Sequence, residues 1–417
     1  MSLLSYQDSI ILLFVIALII GVIVILKFTK NQTRRISNIR IFIQVGAVIV
    51  IFMGLIIGPF NDAYSVWRPL GVSPRSSLIG KDLLGTQFPD GITVPILACY
   101  IPNGRTVTCA IWQIQSYIFP FWDYSRGYDV FYSLSGLEML LIVFSSLIAA
   151  SLLLGRFFCG WLCPFGLYQD LLTRFRRLFK KRHLTFSNKT NATLSQSRWV
   201  IIAIIIISSV ILGSYALFGF EIIPGTAINT GHDALHSGIV SYVNEPYCLV
   251  CPERPLCILV QCAVGSMEWS YVSQIAYGPF YIAGWYVTSI NLAILIAITI
   301  LAFAYRRFWC RICPMGALTA LFSAHKPFNR IALTKLYKDR QKCTKCGVCK
   351  RVCPMDVSEV YERKGGDVTA STCTLCLRCV EMCPYKDALK VKFAGKTVAV
   401  SKDWLDKKNQ LLAHKIN

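Results

Sequence analysis

Histidine and charge are both scarce in this 417-residue chain. The five histidines, His183, His232, His236, His325 and His414, all lie outside the long apolar runs, which excludes a haem held between paired histidines inside a bilayer. No Cys-x2-Cys-His occurs, so covalent c-type haem is excluded too. Neither a Walker A sequence nor a Gly-x-Gly-x2-Gly between strand and helix is present, and no bound nucleotide or pyridine dinucleotide is expected. Charged residues make up only 16% of the chain against 54% hydrophobic ones, with a mean hydropathy of +0.52, values that do not suit an ordinary soluble globule.

Five apolar stretches are long enough to span a membrane, which takes about 20 residues. They run from Ile10 to Leu26, Ile41 to Phe60, Leu134 to Leu154, Trp199 to Phe220 and Phe280 to Tyr305. No Lys or Arg precedes the first, so it reads as a retained helix and not as a secretory signal. Lys27, Lys30, Arg34, Arg35 and Arg40 follow the first span, and Arg174, Arg176, Arg177, Lys180, Lys181 and Arg182 follow the third. These segments are therefore expected on the inner side.

The loop from Glu221 to Gly278 holds one Arg, no Lys and five acidic residues (Glu221, Asp233, Glu245, Glu253, Glu268), so it is expected outside. The N-terminus follows it outside, and the Cys-rich C-terminus emerges after Arg306 and Arg307 into the reducing cytoplasm. The excess of Lys and Arg, +21 in formal charge, is explained by this inner-side bias and by anionic headgroups, without nucleic acid. Sequons at Asn31, Asn188 and Asn191 fall inside and are expected to be unmodified.

Cysteine is abundant, with 18 in all. Eight of them form Cys343-x2-Cys346-x2-Cys349-x3-Cys353-Pro354 and Cys373-x2-Cys376-x2-Cys379-x3-Cys383-Pro384, the spacing of a bacterial two-cluster ferredoxin. Each run gives three thiolates to one 4Fe-4S cluster and its fourth to the other. Cys343, Cys346, Cys349 and Cys383 are thus expected to hold one cluster, and Cys373, Cys376, Cys379 and Cys353 the second. Structural zinc, the competing reading, needs neither the third spaced cysteine nor the proline.

An internal repeat ends the third and fifth spans. Arg156-Phe157-Phe158-Cys159-Gly160-Trp161-Leu162-Cys163-Pro164-Phe165-Gly166 matches Arg307-Phe308-Trp309-Cys310-Arg311-Ile312-Cys313-Pro314-Met315-Gly316. Both copies end a helix running from outside to inside, as parallel repeats do. Neither pair offers more than two thiolates, so Cys159, Cys163, Cys310 and Cys313 are expected to share one further 4Fe-4S cluster near the inner surface; the alternative is that Cys-Pro merely ends each helix.

These motifs together resemble the membrane polyferredoxin family of the periplasmic nitrate reductase and nitrous oxide reductase systems, and the related copper-reducing ferredoxins of oxidase assembly. The resemblance covers about residues 134 to 390, with Phe158 to Pro164 its most specific membrane segment. It implies a membrane subunit joining Cys-Pro motifs to a C-terminal double ferredoxin. The second motif departs from the pattern, with two residues between its cysteines where the first has three.

In the outer loop, Cys248-x2-Cys251-Pro252-x4-Cys257-x4-Cys262 admits two readings, a pair of disulfides or another 4Fe-4S cluster, and the Cys-x2-Cys-Pro idiom favours the cluster. Cys99 and Cys109 are expected to pair as a disulfide. His232 and His236, four apart in an outer loop, read as solvated before they read as ligands or quinone contacts. Trp122, Asp123, Tyr124 and Glu138 are the groups to watch for a quinone pocket.

The expectation is a mainly α protein. Residues 1–60 make an N-terminal transmembrane hairpin and 61–133 an extracytoplasmic loop. Residues 134–334 make a polytopic membrane domain with the two Cys-Pro repeats, 335–395 an α+β double ferredoxin, and 396–417 a tail. It sits as a multi-pass protein in the plasma membrane among other subunits of a redox complex. Its function is to pass single electrons between cytoplasmic clusters and a quinone pool or an extracytoplasmic partner. The alternatives are a reductase for metal-cofactor assembly, which seven Met and five His support little, and an anchor subunit with structural clusters.

Overall fold

The computed structural model describes residues 20–21, 23–24, 35–52, 95, 97–98, 109–118, 134–180, 183–217, 246–263, 275–276, 287–325 and 328–403. The chain forms two units, each assembled from distant segments. One comprises residues 1–15, 47–147 and 199–301, the other 16–46, 148–198 and 302–417.

Helices dominate the first three quarters of the described chain. In order they are α1 (Arg35–Phe52), α2 (Ala110–Ile118), α3 (Leu134–Leu154), α4 (Phe157–Trp161), α5 (Pro164–Leu178), α6 (Asn188–Leu217), α7 (Pro246–Val250), α8 (Arg254–Ala263), α9 (Ser289–Ala304), α10 (Trp309–Ile312) and α11 (Pro314–Ala324). α3 coincides with the third expected span, α6 contains most of the fourth and α9 lies in the fifth. The remainder of spans one and two lies largely outside the described residues. Among the described residues one helical stretch, Asn188–Ile211, is long and apolar enough to cross a membrane, and the apolar stretches Leu140–Leu154 and Ile290–Ala304 are shorter.

Local chemistry sets where these helices stop and start. α3 is a largely apolar run rich in Leu that ends at Gly155, whose φ of 59° is the left-handed turn glycine adopts most cheaply. α5 begins with Pro164 in its first turn, where a missing N–H costs nothing, and ends on Arg176 and Arg177, cations suited to a helix C-terminus. Arg176 also reaches across to α9, donating to the carbonyls of Phe303 (2.5 Å) and Ala304 (2.6 Å) in the last turn. Those groups have no partner within their own helix.

Two short parallel strands, β1 (Ile275–Ala276) and β2 (Val287–Thr288), precede the C-terminal sheet. That sheet is built from β3 (Thr334–Lys338), β4 (Gly366–Asp367), β5 (Leu389–Phe393) and β6 (Lys396–Val400), in the order β4-β3-β5-β6 with every pairing antiparallel. β3 lies against β5 from Thr334↔Phe393 to Lys338↔Leu389. Leu336, Val391 and Leu389 turn to a buried cluster with Met355, Val357, Val360, Val368 and Val380. The helices α12 (Val348–Val352), α13 (Glu359–Glu362) and α14 (Arg378–Met382) are single turns around it.

Lys338 breaks the rule that strand faces sort by polarity. Period-two alternation puts it on the same face as Leu336, and it is only 2% exposed. Its ammonium donates to the carbonyls of Val360 (3.0 Å), Tyr361 (2.9 Å) and Arg363 (2.8 Å), so all three N–H groups are satisfied at the end of α13.

Candidate iron-sulfur centres

Proline dictates the backbone at all four Cys-Pro steps of the cytoplasmic expectation. The ring disfavours the helical region for the residue before it. Cys163, Cys313, Cys353 and Cys383 accordingly share one conformation, with φ/ψ of −64/123°, −60/126°, −65/123° and −69/122°. Each cysteine stands where a helical turn meets an extended residue.

The two ferredoxin runs fold into matching loops. Positive φ recurs at Lys345 and Leu375 (55° and 48°) and again at Gly347 and Leu377 (74° and 57°). Leucine in this region carries strain that persists only where surrounding structure fixes it. One cavity is lined by Cys353, Cys373, Cys376 and Cys379, together with apolar Leu336, Met355 and Val357. A second is lined by Cys343, Cys346, Cys349 and Cys383, with Lys338 and Tyr385 in its wall. Cys349 borders both. The two expected quartets thus surround one cavity each.

The burial of these thiols fits a cluster. Burial first, and Cys376 second, push Cys353 and Cys373 up to about 12 each, and burial pushes Cys379 well above the ordinary thiol range. Such groups stay protonated at neutral pH unless a cation stands beside their sulfur, as cluster iron does. Among the described residues no three Cys, His, Asp or Glu side chains converge as they would on one ion. Cubane ligands need not, since each thiolate meets a different iron.

The two Cys-Pro motifs are brought together by their own arginines, which the sequence reading left aside. Arg156 Nη2 donates to the carbonyl of Cys310 at 3.2 Å, and Arg307 Nη1 donates to the carbonyl of Cys159 at 3.2 Å. Both side chains are almost fully buried. Gly316 leaves room for Arg156, since a Cβ there would lie 2.5 Å from Arg156 Nη2, while a Cβ on Gly166 would press on the carbonyl of Cys159 at 3.0 Å. Arg307 is held by Asp170 through Nε–Oδ1 at 3.0 Å and Nη2–Oδ2 at 2.5 Å, and Arg40 adds a second contact to Oδ2 at 3.1 Å. Burial raises the Asp170 carboxyl, but Arg307 and Arg40 outweigh it and hold the group below its ordinary range. Gln169 accepts from Trp309 N–H at 3.0 Å, with its amide nitrogen 3.4 Å from Cys310 Sγ.

The missing residue of the second motif is absorbed in a turn. Cys163 N–H bonds to Phe158 O, five residues back, while Cys313 N–H bonds to Trp309 O, four residues back. Phe158 and Trp309 are the equivalent residues before each first cysteine. One motif therefore closes with a π-type turn and the other with an α-type turn, and both return the second cysteine to the same carbonyl.

The first motif also packs on the second ferredoxin loop. Trp161 Nε1 donates to Leu375 O at 2.9 Å, and Arg156 Nη1 donates to Ser371 O at 2.9 Å. Gly160 lies so close that an added Cβ would collide with Thr374 O. Arg311, nearly fully buried, donates to Asn191, to the carbonyls of Met355 (2.7 Å) and Pro354 (3.2 Å), and to Asp356 (2.8 Å).

Cys248, Cys251, Cys257 and Cys262 lie in the other unit, on and beside α7 and α8, and all four are buried. Asn291 Nδ2 donates to the carbonyls of Cys248 (3.3 Å) and Cys251 (3.0 Å), and Arg254 donates to Cys248 O at 3.3 Å. Cys109 is buried as well, while Cys99, Trp122, Asp123, Tyr124, His232 and His236 fall outside the described residues. Glu138 lies in α3.

A small α+β unit with paired cysteine loops around two cavities is that of a ferredoxin-type iron-sulfur protein. Residues 335–397 match the family model described as a 4Fe-4S dicluster domain, and residues 136–182 with 290–331, which take in both Cys-Pro motifs, match a 4Fe-4S binding domain. The chain is a ferredoxin-type protein that carries multiple 4Fe-4S clusters, and its likeness to the relatives below fits the membrane polyferredoxin family. It is 27% identical over 253 residues to the uncharacterized protein MJ0750 of Methanocaldococcus jannaschii, covering 60% of this chain and 77% of that protein. It is 26% identical to the putative electron transport protein YccM of Escherichia coli, covering 62% of this chain and 56% of the relative. The ferredoxin-type protein NapH of Escherichia coli is 21% identical over 55% of this chain and 59% of its own length. No solved structure matches the chain.

Proposed function

We infer that this chain is a multi-pass membrane subunit that passes single electrons between a cytoplasmic double ferredoxin and a quinone pool or extracytoplasmic partner. Bound 4Fe-4S clusters supply one-electron exchange, and the protein supplies their placement, shielding and electrostatic surroundings. In this reading Cys343, Cys346, Cys349 and Cys383 hold one cluster, Cys373, Cys376, Cys379 and Cys353 another, and Cys159, Cys163, Cys310 and Cys313 a third. Cys248, Cys251, Cys257 and Cys262 hold a fourth in the outer loop, where Asn291 and Arg254 fix the backbone of the Cys-x2-Cys-Pro turn.

The observation that carries the reading is the exchange of arginines between the Cys-Pro motifs, together with the seating of Gly160 and Trp161 on the Thr374–Leu375 backbone. It brings the two cysteine pairs together and sets them beside the ferredoxin loop. The placement of residues 1–60, 134–334 and 335–395 as membrane hairpin, membrane domain and cytoplasmic ferredoxin is part of the same proposal. α6, with 30 residues, is about 45 Å long at 1.5 Å per residue, enough for a hydrocarbon core of about 30 Å. Exposed apolar side chains such as Leu141, Val200, Ile204 and Ile300 suit a lipid-facing surface.

Single Cys159→Ser and Cys313→Ser variants of the full chain test the shared site. Each is expected to lose the same four iron atoms and the same paramagnetic signal, leaving the ferredoxin signals in place. Retention of full iron in both would refute the shared site.

A further inference from the structure

The two ferredoxin loops are copies of one another with opposite surfaces. Their positive-φ residues align Lys345 with Leu375 and Gly347 with Leu377. Leu375 is 3% exposed and receives the Trp161 indole on its carbonyl, while Lys345 is exposed. Cys346 is exposed, and its counterpart Cys376 is half-buried. The chain's own Cys-Pro motif covers one loop, and the other faces solvent.

Charge divides in the same way. The first loop and its flanks carry Arg340, Lys342, Lys345, Lys350, Arg351 and Lys386 against Asp339 and Asp387, with Glu359 and Glu362 on the turn whose Tyr361 lines the same cavity, and Asp387 is already engaged by Lys342 at 3.3 Å. The second loop carries Arg378 and Glu381, which neutralise each other at 2.6 Å. Arg351 Nη2 lies 3.4 Å from Cys346 O, so a guanidinium stands beside the exposed cysteine. No large apolar side chain is exposed among residues 339–351, which leaves the patch without the anchor that binding to a lipid interface uses.

We propose that the basic face around Cys346 is the docking surface for an acidic one-electron carrier protein. The inference rests on the reading that Cys343, Cys346, Cys349 and Cys383 hold a cluster. Exposure gives a partner close approach to that cluster, and the uncompensated cations steer a negatively charged surface toward it while repelling a basic one.

The test uses the full chain in nanodiscs of neutral lipid, with an oxidised acidic bacterial-type ferredoxin as probe. Binding is followed by titration at low and high salt, with basic cytochrome c as control. The expected result is saturable binding of the acidic probe that weakens with salt, no binding of cytochrome c, and about tenfold weaker binding to Lys345→Glu/Lys386→Glu, restored by Lys345→Arg/Lys386→Arg. Binding within twofold of wild type in the Glu variant, with iron content unchanged, would overturn the docking face. So would an effect present in anionic-lipid nanodiscs and absent in neutral ones, which would assign the patch to headgroups. Wild-type protein lacking the iron of the Cys343 set would instead refute the cluster reading on which the proposal stands, and iron analysis separates that outcome from the others.

Discussion

Arg156 and Arg307 each hold the other's motif: the first donates to Cys310 O and the second to Cys159 O, both at 3.2 Å. Replacing either with Leu is expected to deplete one and the same set of iron atoms. Arg307→Leu also removes the bidentate partner of Asp170, leaving Arg40 and Gln44 on a buried carboxylate, and breaking a buried pair costs about 3–5 kcal/mol. Arg156→Leu removes two bonds to carbonyls, at about 1.5–3 kcal/mol each. Thermal melting in detergent with iron counting on the same samples checks both the shared loss and the destabilisation of each variant.

Asp170 gives the fold an acid dependence of known sign. Its carboxyl is held below the ordinary range in the folded state despite burial, which pushes the other way. Its contribution to stability is therefore complete above the unfolded carboxylate value, about 3.9, and fades as pH falls through the lower folded value. Asp170→Asn is expected to melt at a lower temperature than wild type at pH 7 and to converge on it in strong acid. A constant gap across that range would contradict the assignment.

Gly160 has no space for a side chain. Gly160→Ala forces a methyl group against Thr374 O, and overpacking of this kind costs about 1–3 kcal/mol. The displacement acts on the loop that carries Cys373 and Cys376. The expected outcome is a changed signal for that cluster with the Cys343 set unaltered, read by low-temperature paramagnetic resonance.

The ferredoxin loops were legible because the chemistry of a cubane fixes cysteine spacing along the chain. Both cavities are lined by the quartets that the alternating rule pairs, including the crossed-over Cys353 and Cys383. The repeat at Cys159 and Cys310 was legible from the shared residues around its cysteines, Arg-Phe before them and Cys-Pro at their end, and not from a fixed interval. The arginines were not: in the sequence, Arg156 and Arg307 look like ordinary inner-side cations flanking a span, and only the packing of one motif on the other makes their carbonyl partners local. A signal was present, because each arginine recurs with a glycine ten or nine residues later, Gly166 and Gly316; Gly316 makes space for the opposite arginine, and Gly166 for the backbone of the first cysteine of its own motif. Lys338 was hidden differently, since its period-two position pointed inward while its charge argued outward.

Lys338→Met tests that buried cation. Three carbonyls lose their donor, each at about 1–3 kcal/mol if left unsatisfied, so the domain is expected to melt well below wild type. Lys338 also lies in the wall of the Cys343 cavity, and the removal of a positive charge there is expected to lower the reduction potential of that site. Lys338→Arg, which keeps the charge, separates the two effects in a redox titration.

In the outer loop, protein stripped of iron without reductant is expected to alkylate at all four of Cys248, Cys251, Cys257 and Cys262 once denatured. Mass spectrometry that finds them joined in pairs would favour the disulfide alternative.

The unequal turns of the two Cys-Pro motifs carry a lesson about insertions and deletions. In both, the second cysteine is positioned by a hydrogen bond to the carbonyl just before the first, at Phe158 or Trp309, whatever the number of residues looped out between. A sulfur located this way is addressed by its anchor and not by its count. The segment between can gain or lose a residue while the cysteine keeps its anchor, so a search pattern that demands one fixed interval would find one of these two motifs and miss the other.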